Sequence, residues 1–146
     1  MTEPTTEPKK PLSIFDICET DTEAEENGRW FTDIFGDGTG VDVKLRRLSS
    51  KVSVNARRRI ALPFQRHAKR GELPDDINVK ILCRQLAEAV IVDWRGIVVQ
   101  DGPVEYSADV ADMLLTKLPN FRAQILALSM SMDAFRVEDR EDAAKN

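Results

Sequence analysis

The chain has one histidine, one tyrosine and two cysteines among its 146 residues, and only 6% of it is aromatic. Two cysteines, Cys18 and Cys83, make no disulfide framework, and neither has a neighbour at metal-ligand spacing. The lone His67 falls on a helical face with Ile60 and Phe64. Nothing in its spacing supplies a nucleophile or an orienting acid, so it reads as a core-edge residue rather than a general base. Gly36-Asp37-Gly38-Thr39-Gly40 lacks the lysine and following helix of a phosphate loop. No apolar run approaches the ~18 residues of a membrane span, and the polar start lacks the apolar core of a signal peptide. These absences lead us to expect a soluble, non-catalytic, intracellular protein of one domain, with no cofactor and no metal.

What is present is charge, and it is segregated. Residues 1–28 carry a net charge of −6, residues 41–84 carry +8 and residues 85–146 carry −5. Such a layout speaks to partners or self-association, or to acidic flanks folding back over a basic middle. Residues 1–28 contain three prolines and few large apolar side chains. They read as a disordered acidic arm, dispensable for folding, whose one apolar patch, Leu12-Ser13-Ile14-Phe15-Asp16-Ile17, is suited to docking.

A single mainly helical domain is expected over 29–137, a small helical bundle with an N-terminal β-hairpin. The hairpin occupies about 30–48, with Gly36 to Gly40 as its turn. Helices are expected at about 51–70, 74–94, 108–117 and 119–136, and a charged tail at 138–146. Ser50 and Ser107 stand at N-cap positions. Pro63 is expected to kink or divide the first helix. Leu86 and Trp94 belong to the apolar arc of the second, and Phe121 and Phe135 to the apolar stripe of the last. Ile97-Val98-Val99 and Val104-Glu105-Tyr106, joined through Asp101-Gly102, suggest a second, small hairpin with Pro103 beside its turn.

Two sets of residues stand out. Arg46, Arg47, Arg58, Arg59, Arg66 and Lys69 make a basic face suited to an acidic partner surface; stacking aromatics are not interleaved with them, which disfavours nucleic acid. Asp93 falls inside the apolar arc of the expected 74–94 helix and near its negative end. Either the helix frays before Asp93 and the carboxylate turns to water, or an arginine of segment 46–70 pairs with it.

The order of segments carries a resemblance. Val43 to Ser50 leads into a basic helix with Leu62-Pro63-Phe64, closing on Arg70-Gly71. Leu86 to Ile97 follows, with Asp93-Trp94-Arg95-Gly96 at its exit, then Tyr106-Ser107-Ala108-Asp109 and Leu114 to Pro119. Over roughly 29–136 this resembles the tail assembly chaperone family of long-tailed bacteriophages. The resemblance implies a small helical protein of the host cell cytoplasm that binds the tape measure protein and promotes polymerisation of tail tube subunits around it. It carries no catalytic residues. Self-association and the alternative role of a structural virion component, a head or tail completion protein, fit the same composition.

Overall fold

The computed structural model describes residues 11–66, 68, 70–100 and 102–137. Its elements run α1 (Ile14–Cys18), α2 (Thr22–Asn27), β1 (Arg29–Phe31), β2 (Asp42–Leu45), α3 (Lys51–Gln65) and α4 (Asp75–Gln85). A π-helical turn (Leu86–Val90) then leads directly into β3 (Ile91–Arg95). The short strands β4 (Val98–Val99) and β5 (Gly102–Pro103) precede α5 (Ala108–Lys117) and α6 (Pro119–Met130), and a 3-10 turn covers Asp133–Phe135.

β1, β2 and β3 form an antiparallel sheet with β2 in the middle. Along β2, Val43 and Leu45 are fully buried and alternate with partly exposed Asp42 and Lys44, the period of two that a half-covered sheet needs. Val43 sits opposite Trp94 and Leu45 opposite Ile91. On the helical side, Cys83, Leu86, Val90, Leu115, Phe121 and Ile125 close the core over these strands.

Trp94 is 5% exposed. Its indole N–H donates to the Val104 carbonyl at 2.8 Å, and its ring meets Tyr106 edge-on at 5.3 Å. A buried indole N–H thus has the partner it requires. At Gly96 (φ +81°) a Cβ would stand 1.9 Å from the Gly40 carbonyl oxygen, so the exit of β3 needs glycine for conformation and for close approach.

The architecture is therefore mixed α/β, not the mainly helical bundle expected. Of the described residues 55% are helical and 14% are in strands, in two small sheets. The main departure lies in 74–94. The helix stops at Gln85, the π-helical turn re-aims the chain, and residues 91–95 pair with β2. A short run of β-branched and aromatic residues satisfies either period, and pairing with β2 decides between them. Asp93 consequently belongs to a strand. Its side chain is exposed, it stands opposite Lys44, and Oδ1 accepts from the Trp94 N–H at 2.8 Å. No arginine pairs with it among the described residues.

The arm departs too. Residues 1–10 lie outside the described residues, but 13–27 hold two helices, and α2 packs on the domain instead of being disordered. Asp21 caps α2 through the Ala24 N–H, and its own N–H donates to the Phe135 carbonyl at 2.7 Å. Pro63 does not divide α3, which continues to Gln65. The last helix ends at Met130, and Phe135, fully buried against Phe31, arrives from the 3-10 turn. The tail 138–146 is outside the described residues.

Candidate partner-binding face

Helix α3 starts where Ser50 accepts from the Ser53 N–H at 3.3 Å and the Glu26 carboxylate accepts from the Lys51 N–H at 3.0 and 3.1 Å. Serine capping and a carboxylate at the positive end of the helix both favour initiation there. Its buried residues are Ser53, Ala56 and Ala61. These small side chains leave room for Gln85, whose amide donates to Ser53 Oγ at 2.9 Å and to the Ser53 carbonyl at 3.2 Å. The opposite face is left to solvent.

The basic residues then divide. Arg46 turns inward: Nε donates to the Glu26 carbonyl at 2.8 Å and a terminal nitrogen to the Ala89 carbonyl at 3.0 Å. Arg47 pairs with Glu25 of α2 and donates its backbone N–H to the Glu25 carbonyl. Arg59 pairs with Glu88, which also receives Arg84 at 2.8 Å, while Arg84 reaches Asp109 at 3.0 Å on α5. The Asp109 hydrogen bond is the chief cause that raises the Arg84 pKa, so this guanidinium remains charged. Three of the candidate partner residues, Arg46, Arg47 and Arg59, are thus engaged within the chain. Lys69 lies outside the described residues, as does His67.

Arg58 and Arg66 remain exposed and, among the described residues, without an ionic partner. They occupy one row at four-residue spacing with Val54 and Leu62. Val54 is 36% and Leu62 64% exposed. Apolar and cationic groups therefore alternate by one helical turn along Val54, Arg58, Leu62 and Arg66. Sequence reasoning identified the two arginines but missed the apolar half of this row, although the spacing was readable.

The other ionisable groups with displaced pKa values hold structure together. Asp33, at φ +47°, accepts from the Gly38 N–H, the Thr39 hydroxyl and the Gly40 N–H, which hold its carboxyl below the usual range. Asp42 is likewise lowered, first by the Asp33 N–H and then by Arg95. Burial pushes Tyr106 upward, and its hydroxyl donates to the Ala87 carbonyl at 2.6 Å. Among the described residues no cluster of His, Cys, Asp or Glu could hold a metal ion, and no helix is long and apolar enough to cross a membrane.

Comparison assigns the chain to a class of phage-derived proteins. A family model described as YdaY prophage protein matches residues 48–146, and the chain belongs to that family. The match spans α3 onward and leaves the arm and the first two strands outside it. No curated protein and no solved structure matches the chain.

Proposed function

We propose that this phage-associated protein is a tail assembly chaperone that acts by binding and without catalysis. In the host cell cytoplasm it holds the tape measure protein while tail tube subunits polymerise around it. The observation that carries the reading is the row Val54, Arg58, Leu62 and Arg66, which offers apolar and cationic groups at one-turn spacing. A long helical partner with acidic residues two turns apart and an apolar residue between them matches that row. Phage origin and the segment order resembling the chaperones support the choice of partner.

Co-expression with the tape measure protein of the same phage tests this. The tape measure should be recovered soluble and bound to this chain, and an Arg58→Glu, Arg66→Glu double variant should recover at least tenfold less. Equal insolubility with and without the chain would sink the proposal. Purified virions should lack the protein; finding it there would mark a structural component instead.

A further inference from the structure

A cleft between α3 and α4 shares Val54 with the α3 row. One end of it opens to about 430 Å³ between Leu48, Val54, Leu82 and Met130, and is mostly apolar. The other opens to about 480 Å³ beside Gln65, Glu72, Asp75 and Asn78, and is polar. Arg57 lines both openings, so they are two parts of one channel. Along it, Val54 to Gln65 of α3 runs against Gln85 to Asp75 of α4 in antiparallel order, over about 16 Å at ~1.5 Å per residue.

Three groups in this channel lack a partner of their own. Gln85 lines the apolar end and is only 3% exposed. Its amide nitrogen is taken up by Ser53 Oγ and the Ser53 carbonyl, which turns its carbonyl oxygen away from Ser53. That oxygen has no donor among the described residues. A buried acceptor without a donor is destabilising, so the apolar end calls for a side chain that brings an N–H or O–H with it. Midway, Arg57 is exposed and has no ionic partner among the described residues, whereas Arg47 at the apolar end is paired with Glu25. At the polar end Glu72 and Asp75 likewise have no cation among the described residues. Asp75 also faces the positive end of α4, so a cation there is held less strongly than a carboxylate at Arg57.

From this arrangement we infer that the cleft seats a helical segment of a partner polypeptide. Along one face and in this order, that segment presents an apolar side chain tipped with a hydrogen-bond donor, a carboxylate and a cation. Tryptophan and tyrosine are the side chains that join an apolar body to a donor tip. A helix is selected over an extended strand because the walls are side chains of two helices whose backbone groups are already paired. An inserted strand would find no partners there for its own N–H and C=O groups. Three turns of helix, about 16 Å, span the cleft. The inference rests on the function proposed above only in taking the partner to be a helical protein.

Labelled alanine-based helical peptides are the probe. They carry tryptophan, glutamate one turn on and lysine two turns further, in this sequence and in its reverse, since the cleft sets the order of groups but not the chain direction. By fluorescence anisotropy, one of the two should bind the full chain with a Kd below about 1 mM. Methylating the indole nitrogen should weaken binding about fivefold or more, and replacing the lysine by glutamate about threefold. Arg57→Glu, at an exposed position, should keep the native circular dichroism spectrum and weaken binding about tenfold or more. A peptide with lysine in place of the glutamate should bind that variant better than it binds the native chain. Failure of both peptides, or indifference to any one of these changes, would overturn the inference. Should both peptides fail while the tape measure protein is still recovered soluble, the cleft is not the seat and the proposed function stands. Should one peptide bind as described while the tape measure stays insoluble, the proposed function falls and the cleft stands.

Discussion

Arg46 and Arg47 and, a few turns on, Arg58 and Arg66 belong to the same basic stretch, yet the fold treats them oppositely. The first pair is drawn against α2 and the end of the π-helical turn, where it meets the Glu25 carboxylate and the Glu25, Glu26 and Ala89 carbonyls. The second pair stands in water on α3. A run of like charge is thus not one surface. Where acidic residues of the arm can reach, cations become internal ties, and only beyond that reach are they free for a partner. The acidic flank does fold back over the basic middle, over its first third.

The largest test of this contrast is Arg46→Ala. Removing a guanidinium that satisfies two carbonyls from two separate segments should cost about 2–4 kcal/mol in denaturant unfolding, because partly buried acceptors lose charged donors. A cost like that of an ordinary surface site would make the inward arginine no different from the outward ones. Next comes removal of residues 1–27. The loss of the α2 capping and ion-pair contacts should lower stability by about 1–3 kcal/mol, with cooperative unfolding retained and a melting temperature several degrees lower. An unchanged melting curve would return the arm to the dispensable role that its composition suggested.

On the outward side, Arg58→Glu with Arg66→Glu should change stability by no more than ~0.5 kcal/mol. Partner binding should nevertheless weaken by about tenfold or more, ~1.4 kcal/mol, and the deficit should shrink as salt is raised. Binding that is unchanged in the folded variant would make this face merely solvated. The smallest effect is expected at Asp93→Ala, below ~0.5 kcal/mol, because the carboxylate is exposed and pairs with no arginine among the described residues. A loss of 2–4 kcal/mol there would restore the arginine tie that the helical reading of 74–94 allowed.

Much of the local structure was legible because it is decided by neighbours in sequence. Ser50 and Ser107 precede periodic runs, and each accepts from a backbone N–H three residues on, starting α3 and α5. The turn between β1 and β2 announces itself through glycines, and Pro119 opens α6 from its first position. The candidate face was half legible: Arg58 and Arg66 lie on the outward side that the helical wheel assigns them.

Composition and spacing by themselves determined the caps, the turns, the segregation of charge and the outward place of Arg58 and Arg66, because each depends on interactions over one or two turns of chain. The tertiary structure alone decided the rest. Ile91 to Arg95 is a strand because β2 lies beside it with Val43 and Leu45 to be matched, and an apolar run of that length obeys either period until such a neighbour exists. α2 is a docked helix because Arg46, Arg47 and the start of α3 receive its carboxylates and carbonyls, contacts that span some twenty residues of sequence. A six-residue polar helix is too short to persist on its own propensity, so only partners brought by the fold could make it part of the domain.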